Sequence, residues 1–239
     1  AVMQVFSLFR DQFDLSAFEF FSDKALQHVM DRSGRAAPLA ERTPFYVLLE
    51  LVDLSASQQE QLLTCFEKAV EEGWVLDGVI SQSDQQAADL WVYREHISES
   101  IAPRTPYKND ISVRVSKVSA FLAEVDRLVN QYYPDFEIIW FGHIGDGNLH
   151  LNILKPENLI AEEFFRQCNQ VTKWVGDLIT QFEGSISAEH GVGLLKKPYL
   201  HVSRSQTEIE YMRSIKKIFD PHNVMNPGKV FDIPVAYEN

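Results

Sequence analysis

Apolar and polar positions alternate along the chain in a way that marks out short strands between amphipathic helices. "AFEFF" (17–21) and "PFYVLLELV" (44–52) are apolar and rich in β-prone residues, and "WVLDGVI" (74–80) alternates. "DISVRVS" (110–116) alternates cleanly and sets Ile111, Val113 and Val115 on one face. "FEIIWFGHI" (136–144) and "NLHLNIL" (148–154) complete the strand set. Between the strands the period becomes helical. "SQQEQLLTCFEKAVEEG" (57–73) opens with Ser57 and Glu60 in capping-box spacing and closes on Gly73. Helical spans follow at 83–100, 118–133 and about 157–182, the last with Phe164, Cys168, Val171, Val175, Leu178 and Phe182 at helical spacing. A final helix over about 205–219 opens on a second capping box, Ser205 and Glu208. Repeated strand–helix–strand order predicts an α+β fold: a ferredoxin-like antiparallel sheet of split βαβ units, with helices packed on one face.

The pattern acquires chemistry in "FGHIGDGNLHLNI" (141–153). Asp146-Gly147 is a favoured two-residue hairpin loop, because a type I′ turn needs positive φ at both central positions. With that loop, 145 pairs with 148, 144 with 149 and 143 with 150. His143 then stands opposite His150 on the same face, Cβ atoms roughly 4.5–5.5 Å apart. Ile138, Trp140 and Ile144 share the core-facing side with Leu149, Leu151 and Ile153, while the histidines share the other with Phe141, Asn148 and Asn152. A one-residue slip would put the polar set in the core, so the pattern specifies which face is which. Two histidines on a sheet face are also compatible with plain solvated surface; a metal site needs a third ligand.

"SISAEHGVGLLKKPYL" (185–200) offers one. Two imidazoles and a carboxylate form a familiar divalent set, and Glu189 is the best single candidate for the carboxylate. Asp146 suits less well, because its side chain is needed in the turn. His190, adjacent in sequence but pointing elsewhere, then qualifies as a base. The competing reading makes Glu189-His190 a helix N-terminus, where glutamate favours the dipole. Arg94 and Ser98 in "REHIS" and Lys108 in "TPYKND" would attract a carboxylate substrate, with Arg able to grip it through two bonds; either cation alone reads as solvated surface. Neither Gly191 and Gly193 nor "GHIGDGN" matches a phosphate-loop or dinucleotide signature.

Composition narrows the partners. The 239 residues suffice for one large domain or two small ones, and the 45% apolar content is that of an ordinary globular chain. Lys plus Arg number 22 against 34 Asp plus Glu, a net charge of −12 that makes nucleic acid and anionic lipid poor partners. Cys65 and Cys168 fall in apolar helical patterns and read as buried, reduced thiols of a cytoplasmic protein. No apolar run of membrane-spanning length and no signal peptide is visible. The chain opens on Ala1 rather than Met, which reads as a processed product or a piece of something longer.

Three motifs in order, "FGHIGDGNLHLNIL", "SAEHGVGLLKKPYL" and "MRSIKKIFDPHNVMNPGKVF", resemble the hallmarks of the C-terminal cap domain of FAD-linked oxidases. That family groups D-lactate dehydrogenase, the glycolate oxidase D subunit and D-2-hydroxyglutarate dehydrogenase, within the vanillyl-alcohol oxidase type of flavoprotein. The likeness runs from about "LSAFEFFSDKAL" (15–26) to "NPGKVF" (226–231). It implies a cap over the flavin's reactive face, with FAD held mainly by an N-terminal domain of the same polypeptide. The pyrophosphate loop of that domain does not occur in this sequence, so the chain alone is expected to be inactive.

The resemblance also implies a divalent metal, usually zinc, on His143, His150 and Glu189. His190 would take the substrate hydroxyl proton while hydride passes to the flavin. Arg94, Ser98, Lys108 and Asn152 would contact the substrate, and Asn226 and Lys229 the flavin, in a helical segment (about 200–239) that returns toward the cofactor. The implied substrate is a small D-2-hydroxy acid of the lactate, glycolate or 2-hydroxyglutarate class, oxidised to the 2-oxo acid. A homodimer contact and a peripheral membrane or electron-transfer partner are in keeping with it. Two departures bear on the substrate: the stretch between Arg94 and Lys108 is one residue shorter than the family pattern, and Ser98 stands for Thr. The alternatives are a free-standing, non-catalytic module that binds a metal or a hydroxy acid, and a ferredoxin-like interaction domain with surface histidines and no metal.

Overall fold

The computed structural model describes residues 1–52 and 54–233. In chain order the elements are α1 (Val2–Arg10), β1 (Leu15–Ser22), α2 (Asp23–Ser33), β2 (Phe45–Leu51), α3 (Ala56–Glu71), α4 (Asp84–Glu95) and α5 (Ile97–Ile101). Then come β3 (Tyr107–Ser112), α6 (Val118–Tyr132), β4 (Glu137–Gly142), β5 (Asn148–Leu154), α7 (Ala161–Gln181), α8 (Leu200–Ser203) and α9 (Gln206–Phe219). The five strands form one antiparallel sheet in the order β2-β1-β4-β5-β3. This is the expected α+β class.

The alternation decides what each face meets. Phe18 and Phe20 of β1, Ile138 and Trp140 of β4, and Leu149, Leu151 and Ile153 of β5 enter the larger core beneath α1, α6 and α7. The intervening residues Phe21, Ile139, Phe141 and Leu154 face the other way, into a second cluster with Leu26 and Val29 of α2, Tyr93 of α4, and Ile97 and Ile101 of α5. Helical cover is therefore not confined to one face, as the alternation had suggested. β4 explains why: four of its six residues are bulky and apolar in succession, the pattern of a strand buried on both sides.

Four local expectations change. "WVLDGVI" forms no strand: Trp74 and Val75 pack on the larger core while Leu76, Val79 and Ile80 stay exposed. Alternation alone makes no strand without a partner edge to bond. The first capping box is Ser55 with Gln58, two residues ahead of Ser57 and Glu60. The span 83–100 is two helices broken at His96, and the strand near 110 runs from Tyr107 to Ser112 before turning away at Val113. Two helices had no counterpart in the sequence reading. One is α1; the other is α2, begun by Ser22, whose Oγ accepts from Ala25 N, and ended at Gly34 with φ 68°.

Candidate metal and substrate site

The β4–β5 connection is longer than a two-residue turn. Phe141, not His143, lies opposite His150, and Trp140 lies opposite Leu151. Gly142 leaves the strand at φ 152°, residues Ile144–Asp146 make one 3-10 turn, and Gly147 closes it at φ 80°. A Cβ at Gly142 or Gly147 would collide with the carbonyl oxygen of Asn148 or Val113, so both positions require glycine. The Asp146 carboxylate accepts from Asn148 N at 3.2 Å, holding the turn as expected of that residue. The register is thus two residues from the predicted one. Because side chains alternate with period two, a two-residue shift preserves every face. His143 and His150 still share a side, with ring centroids 6.0 Å apart.

A carboxylate from β1 orients the first histidine. His143 Nδ1 lies 2.6 Å from Glu19 Oε1, leaving Nε2 toward the cavity, where Glu189 Oε2 is 3.9 Å away. The other Glu19 oxygen accepts from Arg94 Nε at 2.8 Å, and the Arg94 guanidinium rests over the Phe141 ring. Glu19 and Arg94 are both buried, so each offsets the desolvation of the other.

His150 is the buried partner. Its Nε2 lies 3.4 Å from Glu189 Oε1 and its Nδ1 3.8 Å from Asp110 Oδ1. Burial, and then the charge of Arg94, push the His150 imidazole down to about 4 against the opposing pull of Asp110 and Glu189. At neutral pH His150 therefore presents an unprotonated nitrogen. His190 packs against it with ring centroids 5.8 Å apart, and His190 Nδ1 lies 3.6 Å from Asp110 Oδ2.

One oxygen each from Glu189 and one nitrogen each from His143 and His150 fall within 4.8 Å of one another. Ligand atoms about 2.0–2.1 Å from a tetrahedral ion stand roughly 3.3 Å apart. The His150–Glu189 separation of 3.4 Å is close to that value, and His143 Nε2 lies 3.9 Å from the other Glu189 oxygen. A second group, Asp110, Glu189 and His190, meets the same distance limit.

All four of these predicted residues line one open cavity of about 700 Å³, and so do Arg94, Ser98, Lys108 and Asn152. Lys108 and Asn152 are direct cross-strand partners, which explains their common side. Asn226 and Lys229 do not line this cavity. They belong to a final segment that, against expectation, is not helical beyond Phe219 over the described residues 220–233 (234–239 lie outside them). It is tied back through Val230 N to Gly193 O at 2.8 Å and Lys197 Nζ to Gly228 O at 3.1 Å. The helix-N-terminus reading of Glu189-His190 is not what forms; 187–193 is an irregular turn. Sequence reasoning passed over Glu19, Asp110 and Lys196, all on the cavity wall. A signal existed for Glu19: a lone acid between Phe18 and Phe20 in an apolar strand.

Cys65 and Cys168 are free and buried, as expected, and burial pushes the Cys168 thiol up to about 12. Among the described residues no helix is long and apolar enough to cross a membrane.

One face of this five-stranded antiparallel sheet thus carries a histidine–carboxylate cluster with Arg94, Lys108 and Lys196 in the same cavity. A family profile described as FAD linked oxidases, C-terminal domain, matches residues 1–230, and the chain belongs to that family. It is 58% identical over 231 residues to a D-2-hydroxyglutarate dehydrogenase of Stutzerimonas stutzeri, covering 97% of this chain and 50% of that one. A D-2-hydroxyglutarate dehydrogenase of Xanthomonas citri pv. viticola is 54% identical over 238 residues, 100% of this chain and 50% of the relative. The mitochondrial D-2-hydroxyglutarate dehydrogenase of Arabidopsis thaliana is 34% identical over 219 residues, 90% and 38% respectively. The chain thus spans about half the length of the first two curated relatives. Among solved structures, 4-ethylphenol oxidase from Gulosibacter chungangensis in its isoeugenol complex shares the fold, with TM-score 0.63 at 13% identity over 98% of this chain and 51% of that one.

Proposed function

We propose that the chain is the substrate- and metal-binding domain of an FAD-dependent dehydrogenase that oxidises D-2-hydroxyglutarate to the 2-oxo acid. The observation that carries this reading is the convergence of His143, His150 and Glu189 with His190 in a cavity that also holds Arg94, Lys108 and Lys196. The donor set suits a divalent ion, zinc by preference, because two imidazole nitrogens and a carboxylate oxygen lie within 4.8 Å of one another. When bound, such an ion supplies a Lewis acid for the 2-hydroxyl, and the flavin held by the rest of the polypeptide supplies the hydride acceptor.

The remaining roles fall to this chain. His190, with Nδ1 toward Asp110, keeps Nε2 to take the hydroxyl proton as the Cα hydrogen leaves with its electron pair. Arg94 spends Nε on Glu19, and its terminal nitrogens, with Lys108 and Ser98, bind substrate carboxylate. Asn152, only 2% exposed, fixes the substrate's polar end next to His150. The relatives at 58% and 54% identity, both named D-2-hydroxyglutarate dehydrogenase, favour 2-hydroxyglutarate over lactate or glycolate. Asn226 and Lys229 are assigned to the flavin side.

The test is a substrate comparison on the full-length, flavin-loaded protein with a dye acceptor, alongside elemental analysis without chelator or His-tag. Near-stoichiometric divalent metal and a kcat/KM for D-2-hydroxyglutarate well above that for D-lactate are expected. Preference for D-lactate would overturn the substrate assignment, and a metal-free active enzyme would overturn the ligand assignment.

A further inference from the structure

Asp110 stands where the two halves of the site meet. It is the cross-strand partner of His150, so backbone register alone sets its side chain beside that imidazole. Its Oδ2 accepts from the backbone N–H of Glu189 at 3.1 Å, that of His190 at 2.9 Å and the Ser187 hydroxyl at 3.3 Å. Lys196 Nζ lies 3.6 Å from the same oxygen. Residues 187–190 belong to no helix or strand, so this one carboxylate oxygen gathers the segment that carries Glu189 and His190.

Oδ1 is different. It is buried without a hydrogen-bond partner, in a side chain 3% exposed, and lies 3.8 Å from His150 Nδ1. A buried carboxylate oxygen without a donor is costly, and the imidazole beside it carries one in the right tautomer. His143 shows the completed version of the same arrangement: Nδ1 on Glu19 at 2.6 Å, Nε2 toward Glu189. Histidines that ligate metals generally give their second nitrogen to such a carboxylate, which fixes ring orientation and tautomer. Asp110 also belongs to the second group of close donors, yet Oδ2 is already committed to two backbone N–H groups and a hydroxyl. Support for the ligands, rather than ligation, is what that bonding leaves it.

We infer that Asp110 is the positioning residue of this site: Oδ2 holds Glu189 and His190 in place, and Oδ1 sets the tautomer and direction of His150. One strand-borne carboxylate thereby assembles metal ligand and base together. The inference rests on the metal reading proposed above.

Asp110→Asn and Asp110→Ala in the full-length, flavin-loaded protein test it. Zn²⁺ affinity is measured by chelator competition on metal-stripped protein, together with the Co²⁺ absorption spectrum, kcat, KM and thermal melts. The near-isosteric Asn keeps an acceptor for the 189–190 amides but turns an NH₂ toward His150. Its expected result is a 10–100-fold loss of Zn²⁺ affinity, an altered Co²⁺ spectrum and a kcat that stays low at saturating Zn²⁺, with KM little changed and the metal-free melt kept. Asp110→Ala should be worse in each respect. Wild-type Zn²⁺ affinity and Co²⁺ spectrum in Asp110→Asn would overturn the inference, as would failure of that variant to fold, which would make Asp110 a residue of the fold alone. Absence of Zn²⁺ and Co²⁺ uptake by the wild type would instead remove the metal reading on which it stands.

Discussion

The two faces of the central sheet are made by alternate residues of the same strands and serve opposite purposes. Along β5, Leu149, Leu151 and Ile153 enter the larger core, while His150 and Asn152 between them reach the cavity. Both sets are buried, yet by different means. The apolar face is stabilised by area removed from water and by close packing. The polar region of the other face keeps Glu19, Arg94, Asp110, His150 and Asn152 out of water, and most of the charge is matched: Glu19 by Arg94 and His143, Asp110 by two backbone amides. Such pairing roughly offsets the desolvation it incurs and adds little net stability. The larger core and the smaller cluster on the opposite face therefore hold the fold, and the polar region beside that smaller cluster rests on the rigidity so obtained.

Substitutions should separate the two faces cleanly, and the largest effect belongs to chemistry. His190→Ala in the full-length enzyme should cut kcat by about 10²–10⁴, the usual contribution of a positioned base, with metal content and melting temperature unchanged. Loss of the metal in that variant would make His190 a ligand. Next comes the core: Leu151→Ala, at a fully buried site, should cost about 2–5 kcal/mol in urea unfolding. A cost below about 1 kcal/mol would mean that the face is loosely packed and the contrast drawn above is wrong.

The third effect is pH-dependent and comes from the site face. His150 is pushed from 6.5 down to about 4, so the folded metal-free protein binds this proton less readily than the unfolded chain. Stability from this group is complete above pH 6.5 and is lost as pH falls through about 4, by roughly 3 kcal/mol at 1.36 kcal/mol per unit. Urea unfolding of wild type and His150→Gln across that window should differ by this slope. Parallel pH profiles would contradict the depressed value.

Much of this is legible in the sequence. The helix over Ala161–Gln181 buries the predicted row Phe164, Cys168, Val171, Val175 and Leu178, because a 3.6-residue period leaves only one face for a core. The capping box at Ser205 and Glu208 forms where it is written. The cavity residues named from the His-containing hairpin and the "AEHG" turn come together, while Asn226 and Lys229 stay apart from them. What escaped notice depended on distance along the chain. Glu19 meets His143 across 124 positions, and Asp110 meets Glu189 and His190 across 79 and 80. Spacing within a motif carries no trace of such pairings.

The amino-acid pattern by itself determined which residues of each strand share a face, since the side-chain period of two survives the register error in the β4–β5 turn. It also determined the helices with strong periodicity, and the chemical types gathered in the two glycine-punctuated motifs. Tertiary structure decided the turn geometry, the cover on the second face, and the carboxylate standing behind each histidine. The reason is physical: faces follow from local backbone geometry, whereas the partners of a buried charge are chosen by which strands lie side by side.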